Sequence, residues 1–221
     1  MNRLWIFIPL IFLLGSSTPL PHPCTDQSPQ FKLDSDRNQV KDGPEWVCHP
    51  NGRWKMAREW KLDKLHGRAT SWYENRQKKS DGWYRKGEKH GNWTSWHENG
   101  EQQKQGAFRR GKKHGQWVAH HSNGNKRYEG TFAKDLPNGS WIWWYNDGQV
   151  QRQADYRKGK IVSNALGWYK NGTKKFETTY SKGQPVLKTR WHKNGKKKKE
   201  ITYKNGKKHS QRVFGETDQK S

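Results

Sequence analysis

Acidic residues and apolar residues are both scarce in this chain of 221 residues. It contains 20 Asp and Glu against 44 Lys and Arg, which gives a formal net charge of +24. Only 29% of its residues are apolar, whereas an ordinary globular domain draws on about half. This composition excludes a conventional compact core, and without other features it would indicate disorder.

Long hydrophobic runs are also missing, with one exception at the N-terminus. Leu4 to Leu14 is an apolar run of 11 residues, which is too short to span a bilayer as a helix. Arg3 precedes the run, and the small residues Gly15, Ser16 and Ser17 follow it. The pattern predicts a signal peptide over residues 1–17 and therefore export to the periplasm, the cell surface or the medium. The alternative is a buried N-terminal helix.

Cysteine is limited to Cys24 and Cys48. Export favours a disulfide between them. If Cys24 held a regular position two strands from Cys48, the two Cα atoms would be about 9.5 Å apart, beyond the roughly 7 Å that a disulfide allows. We therefore expect residues 18–42 to form an irregular N-terminal cap folded over the first hairpin.

Aromatic residues and glycine are abundant, with 14 Trp and 22 Gly, and both recur at fixed intervals. Turn dipeptides recur every 24 residues, and the last interval is 23. They are Asn51-Gly52, Asn75-Arg76, Asn99-Gly100, Asn123-Gly124, Asp147-Gly148, Asn171-Gly172 and Asn194-Gly195. Three residues before most of these turns stands a Trp, and nine residues after each turn stands an aromatic residue. Such self-similarity is the signature of a repeat protein.

Each repeat has the local chemistry of a β-hairpin. Asn-Gly is favoured in two-residue type I′ turns, in which both central residues have positive φ. Seven hairpins predict an all-β, single-layer antiparallel meander of about fourteen strands, twisted and on the order of 65 Å long. We assign the repeats to residues 43–210 and a C-terminal tail to residues 211–221.

The turn also predicts the register of each hairpin. With Asn99-Gly100 as the loop, Trp93 lies opposite Gly106, and Gly91 lies opposite Phe108. A large ring that covers a glycine on the neighbouring strand stabilises a sheet. We therefore predict a packed face whose structural residues are Trp93, Trp117, Trp141, Gly106, Gly130, Phe108 and Phe132. The other face is predicted to carry a Trp column among polar residues, comprising Trp72, Trp96, Trp144, Trp168 and Trp191.

The segments GEKHGNWTSWHENG and GKKHGQWVAHHSNG resemble MORN repeats, and they are most similar to the bacterial variant type of YwqK-family antitoxins. This resemblance covers about residues 43–210 and implies a scaffold or interaction module. The antitoxin name implies a cytoplasmic protein partner, whereas the predicted signal peptide implies export. Choline-binding repeats are also aromatic hairpins, but their period is shorter.

Catalytic and metal-binding patterns are absent from the sequence. We find no nucleophile elbow, no phosphate loop and no acidic cluster at ligand spacing, so we expect a protein that is not an enzyme and needs no cofactor. His66, His90 and His114 recur at one repeat position. Equivalent positions lie about 9.5 Å apart, too far to share one zinc ion with its ligand distances of about 2 Å.

The positive charge is the strongest functional indication, because a large field of one sign attracts polyanions. The predicted ligand residues are the Trp column together with Lys196, Lys197, Lys198, Lys199, Lys207 and Lys208. The first hypothesis is an envelope protein that binds an anionic polymer or a membrane surface, such as lipid, lipopolysaccharide or glycan. Nucleic acid is possible but not favoured. The alternative is a module that binds a protein partner, such as a toxin or a hydrolase. A charged surface that serves only to keep the protein in solution is the interpretation without a ligand.

Overall fold

The structure is a computed structural model that describes Cys24, Asp26 and residues 28–215. The predicted signal peptide and the last six residues of the predicted tail lie outside the described residues. All secondary structure within them is β, in one antiparallel sheet. The strands are β1 Gln30–Leu33, β2 Gln39–Cys48, β3 Trp54–Lys61, β4 Lys64–Leu65, β5 Gly67–Trp72, β6 Lys78–Arg85, β7 Glu88–Trp96, β8 Gln102–Arg109, β9 Lys112–His120, β10 Lys126–Ala133, β11 Leu136–Trp144, β12 Val150–Arg157, β13 Lys160–Ile161, β14 Ala165–Trp168, β15 Lys174–Ser181, β16 Gln184–Trp191, β17 Lys197–Lys204 and β18 Lys207–Val213.

The strands form the predicted meander, because each pairs with its neighbours along the chain. The short strands β4 and β13 pair with β3 and β12, which also pair with β5 and β14. The hairpin-repeat fold predicted from the sequence is thus confirmed. No helix within the described residues is long and apolar enough to cross a membrane.

The predicted turn type is wrong. Gly100 has a φ of 87°, whereas Asn99 is not among the residues with positive φ. The Gly100 amide donates to the His97 carbonyl at 2.9 Å, and the His97 amide donates to the Glu101 carbonyl at 2.8 Å. These bonds define a three-residue loop, Glu98 to Gly100, with a type I turn followed by a left-handed residue. The Asn99 side chain accepts from the Glu101 amide at 3.1 Å, which favours this turn over type I′.

The predicted pairing of Trp93 with Gly106 is nevertheless correct. The longer loop shifts the pairing by one residue, so Trp96 lies opposite Gln102 rather than Gln103. A bulge between Ser95 and Trp96 then restores the predicted register. Equivalent bulges follow the other turns, so the sheet bends once beyond every loop.

The glycine that each Trp covers also differs from the prediction. Trp93 covers Gly82 of the preceding hairpin, and Gly106 is covered by Trp117. A Cβ added at Gly106 would lie 2.2 Å from Cδ2 of Trp117. The indole Nε1 of Trp117 donates to the Ala107 carbonyl at 3.2 Å, beside the register shift between Gly106 and Ala107. The ring therefore joins adjacent hairpins instead of closing its own.

The packed face holds a continuous row of edge-to-face aromatic contacts. It runs through Tyr84, Trp93, Phe108, Trp117, Phe132, Trp141 and Tyr156. Trp117 and Trp141 are only 2% and 4% exposed. We call this surface the aromatic face and the opposite surface, which carries the Trp column, the column face. A sheet of one layer obtains its core from these large rings.

The N-terminal segment is more regular than predicted. Cys24 and Cys48 form the expected disulfide, with Cα atoms 6.0 Å apart. The region predicted to be an irregular cap contains the hairpin of β1 and β2, which pair from Gln30 with Asp42 to Leu33 with Gln39. Asp26 accepts a hydrogen bond from the Cys48 amide at 2.6 Å, and this contact holds the Cys24 segment against β2. The strands extend to Val213, beyond the predicted repeat boundary at residue 210.

Candidate binding surface

Lysine side chains on the column face lie over aromatic rings of the same face. Nζ of Lys78 lies 5.7 Å from the ring centroid of Trp96, and Nζ of Lys126 lies 5.6 Å from that of Trp144. Lys174 and Lys197 take the same position over Trp191 and Phe214, at 5.2 Å and 5.6 Å. Each lysine thus contacts the aromatic residue of the following hairpin through a cation–π interaction.

Carboxylates compensate these lysines. Lys126, Lys174 and Lys197 each form an ion pair with the acid three residues later, at 2.8–2.9 Å. The acids are Glu129, Glu177 and Glu200. The column face is therefore close to electrostatic balance despite the excess of lysine in the chain.

Asp81 extends this balance toward the N-terminus. Burial tends to raise the pKa of Asp81, but hydrogen bonds from Arg68 and Thr70, with the charges of Arg68 and Lys78, bring it below its ordinary value. Its carboxylate accepts from Arg68 at 2.9 and 3.0 Å. Asp81 is thus ionised and paired at neutral pH.

The ligand residues predicted from the sequence do not form one surface. Trp72, Trp96, Trp144, Trp168 and Trp191 lie on the column face and are half-buried. Within the run of four lysines, Lys196 lies in the turn, Lys197 lies on the column face, Lys198 is an exposed bulge residue and Lys199 lies on the aromatic face. Lys207 and Lys208 lie at the opposite end of the strands, opposite Lys204 and Tyr203.

The aromatic face carries a first cluster of cations, which consists of Lys89, Lys104 and Lys113 together with Arg127, the exposed bulge residue of β10 that lies near Lys104. Nζ of Lys89 lies 4.1 Å from the ring centroid of Trp93, and Nζ of Lys113 lies 4.8 Å from that of Phe132. Burial, followed by the charges of Lys113 and Arg127, lowers the pKa of Lys104. None of the four forms an ion pair with any acid in the described part of the chain.

A second cluster lies on the same face and consists of Arg152, Lys188, Arg190 and Lys199. Burial, followed by the charges of Arg190, Arg152 and Lys199, lowers the pKa of Lys188. The guanidinium carbon of Arg152 lies 4.9 Å from the ring centroid of Trp143, and Nζ of Lys188 lies 5.3 Å from that of Phe176. These four cations also lack an ion-pair partner among the described acids.

A groove of about 500 Å³ adjoins the first cluster at the ends of the strands, between two turns. Its lining residues are Arg85, Lys86, Glu88, Lys89, His90, Arg109 and Arg110. The turns after β6 and β8 form its two sides. Lys89 belongs to both the groove and the first cluster, so the positive surface continues from the sheet face to the turns at the strand ends.

Histidine side chains at the turns contact backbone carbonyl groups of the following repeat. Nε2 of His97 lies 3.1 Å from the His120 carbonyl, and Nε2 of His121 lies 3.1 Å from the Trp144 carbonyl. Tyr145 makes the equivalent contact by donating from its hydroxyl to the Trp168 carbonyl at 2.8 Å. No group of three or more metal-binding side chains occurs within the described ranges.

Arg152, Lys188 and Arg190 were not predicted from the sequence. The repeat alignment contained a usable signal, because Lys188 occupies the position held by Trp93, Trp117 and Trp141 in earlier repeats. A cation in place of a core indole stands out once the repeats are aligned position by position. The lysine-rich composition of the C-terminal region obscured this single exchange.

Comparison with known proteins identifies the repeat type. Residues 137–158 and 187–205 match the family model described as MORN repeat variant. The MORN-type repeats inferred from the sequence are thereby confirmed, whereas the narrower resemblance to YwqK-family antitoxins stays a prediction. No curated protein matches the chain.

Proposed function

We propose that this MORN-variant repeat protein is a non-enzymatic, exported protein of the bacterial envelope. In this proposal its aromatic face binds an anionic polymer or an anionic membrane surface. The repeats supply the extended scaffold of a binding module. The chemistry is purely electrostatic recognition, so no catalytic residue or cofactor takes part.

One observation carries the proposal: lysines on the column face form ion pairs with carboxylates, whereas the cation clusters on the aromatic face form none within the described part of the chain. The lysines of the column face pair with Glu129, Glu177 and Glu200. The two clusters of the aromatic face lack such pairs among the described residues, and burial and like charges lower the pKa of Lys89, Lys104 and Lys188. An anion that supplied the missing negative charge would relieve this repulsion.

Export rests on two separate features. The N-terminal run from Leu4 to Leu14 has the length and flanks of a secretory signal. The Cys24–Cys48 disulfide is typical of an oxidising compartment. Sequencing the N-terminus of the mature protein tests this part of the proposal, and an intact residue 1 would contradict it.

Binding at two salt concentrations tests the anion-binding function. The purified protein would be mixed with anionic phospholipid vesicles, lipopolysaccharide and polyphosphate. We expect binding at low salt that weakens strongly at high salt, because exposed charges are screened over about 10 Å at 0.1 M ionic strength. Binding to none of these probes, or binding that salt does not change, would refute the proposal.

A second candidate function is capture of a protein partner at the sheet edge. All seven residues of β18 are exposed, and it pairs only with β17 among the described strands. An open edge can accept a strand from another protein. This alternative predicts one stoichiometric partner in a pull-down and little effect of charge reversal at Lys196, Lys197, Lys198 and Lys199.

A further inference from the structure

Cations recur at regular intervals on the aromatic face. The position of Lys104 is occupied in the following repeats by Tyr128, Arg152, Phe176 and Lys199. Their cross-strand partners place all five on this face, with Lys104 opposite Ala119 and Lys199 opposite Arg190. Every second repeat therefore presents a cation, and an aromatic ring separates it from the next one.

The strand order converts this periodicity into a distance. Four strand steps separate Lys104 in β8 from Arg152 in β12, and four more lead through β14, β15 and β16 to Lys199 in β17. At about 4.8 Å per step, the cations are about 19 Å apart and span about 38 Å in total. The first cluster surrounds one end of this row, and the second cluster includes the other two members.

The second cluster has the features of a prepared anion site. Lys188 stands where three earlier repeats have Trp93, Trp117 and Trp141. The first repeat also has a charged residue there, Glu45, but Glu45 is paired with Arg58, whereas Lys188 has no ion pair among the described residues. Nε of Arg152 is buried without a hydrogen-bond partner among the described residues, while its Nη2 donates to the Tyr156 hydroxyl at 3.3 Å. An arginine fork and neighbouring lysines suit the oxygens of a phosphate group.

The twist that is general for β-sheets favours a flexible chain over a flat surface. Adjacent strands of a sheet rotate by about 20–25°, and bulges increase the rotation. Over the eight steps from Lys104 to Lys199 this amounts to about 160° or more. A planar membrane cannot face both ends of such a ribbon at once, whereas a linear polymer can follow it.

We infer that the first and second clusters are two subsites for one linear chain of phosphate groups, which spans the aromatic face and occupies both together. This inference rests on the proposed function and specifies its ligand as an extended phosphate polymer rather than a membrane. Simultaneous occupation gives the long chain an affinity that neither cluster has alone.

Length-defined probes test this inference. At the spacing of one strand of a duplex, about 3.4 Å per phosphate, oligodeoxythymidylates of about 4 and about 20 nucleotides span about 14 Å and about 68 Å, so they reach one and both clusters respectively. Polyphosphates of similar charge number show whether phosphates alone suffice, and anionic phospholipid vesicles represent the planar alternative. The variants are Lys104→Gln with Lys113→Gln in the first cluster and Arg152→Gln with Arg190→Gln in the second.

The matched control is Lys126→Gln with Lys174→Gln, which removes the same charge from the column face. We expect the long probes to bind at least about tenfold more tightly than the short ones. Either cluster variant should remove most of this advantage and change short-probe affinity by only about twofold, since one subsite remains. The control should retain the advantage, and circular dichroism should show that all variants are folded.

Several outcomes would overturn the two-subsite inference while leaving the proposed function intact. These are equal affinity for long and short probes, an equal loss in the control variant, or tighter binding to vesicles that neither cluster variant reduces. Failure of every anionic probe to bind would instead refute the proposed function itself.

Discussion

At the scale of single residues, glycine and tryptophan form complementary pairs between hairpins. The indole of Trp93 covers Gly82, that of Trp117 covers Gly106, and that of Trp141 covers Gly130. In the next repeat Ala154 replaces the glycine, and Ala165 replaces the indole. The two residues change together because a Cβ and an indole cannot occupy the same space.

We expect Gly106→Ala to destabilise the protein by about 1–3 kcal/mol, because the new Cβ collides with the ring of Trp117. In a Trp117→Ala background the same substitution should cost little, since the ring is absent. Chemical denaturation of the four members of this double-mutant cycle measures the coupling. An equal cost in both backgrounds would show that the close contact is unimportant.

Lys188 illustrates the opposing demands of stability and binding. Burial, followed by the charges of Arg190, Arg152 and Lys199, lowers its pKa. The unfolded chain keeps the lysine proton up to about pH 10.4. The destabilisation is therefore complete below the folded-state pKa and disappears as the pH rises from that value toward the unfolded-state value.

Lys188→Met should therefore raise the free energy of unfolding, and this increase should be larger at pH 7 than near pH 10. The same substitution should weaken binding of anionic polymers. Urea denaturation of the wild type and the variant across this pH range measures the difference between them. A difference that does not depend on pH would contradict the assigned repulsion.

At the scale of elements, each turn is bound to the next by side chains that point along the sheet. Tyr73, Tyr145 and Tyr169 donate to the carbonyl of the Trp in the following repeat at 2.8–3.0 Å. The amides of Asn75, Asn99, Asn123 and Asn171 bind the turn of the following repeat in the same way. Where a turn has asparagine, its side chain therefore contributes to contact between repeats as well as to the turn itself.

Tyr145→Phe removes one such bond, so it should lower the free energy of unfolding by about 0.5–1.5 kcal/mol. Tyr128→Phe is the matched control, because the Tyr128 hydroxyl has no hydrogen bond within the described residues and its ring packs against Trp141. Thermal and chemical unfolding of both variants measures the difference. A loss in the control equal to that in Tyr145→Phe would exclude the proposed role of the hydroxyl.

The sequence was sufficient to predict the hairpins, because asparagine, glycine and tryptophan determine them through local chemistry. The pairing of Trp93 with Gly106 was predictable, although the turn type was not. A three-residue loop and a bulge shift the register in opposite directions, so their effects cancel over the strand. Which neighbouring hairpin receives the ring depends on a contact between repeats, which the pattern within one hairpin does not specify.

At the scale of the whole molecule, contacts between neighbouring hairpins extend into one sheet with two different surfaces. Stability in such an array comes from each repeat and its nearest neighbours. The edge strand β18 carries Lys207, Lys208 and Arg212, and such charges discourage uncontrolled pairing at an open edge. The repeats therefore provide length, while the residues that vary between them distribute the charge.

The candidate site was only partly predictable because charge composition does not reveal which face a lysine occupies. Lys126 and Lys199 are similar in sequence context, yet the first is paired with Glu129 and the second joins an unpaired cluster. The alternation of side chains along the strand, together with the bulge beyond each turn, determines which face a lysine occupies. The predicted lysine run, Lys196 to Lys199, was consequently divided among a turn, both faces and a bulge.

The salt dependence of oligodeoxythymidylate binding shows whether anions bind the aromatic face. Each cation that contacts a phosphate of a single strand contributes about −0.7 to the slope of log K against log salt concentration. The variant with Arg152→Gln and Arg190→Gln should reduce the slope by about 1.4, whereas Lys126→Gln with Lys174→Gln should leave it nearly unchanged. Equal reductions in the two variants would contradict binding at the aromatic face, because they would show that the ligand responds to total charge and not to one face.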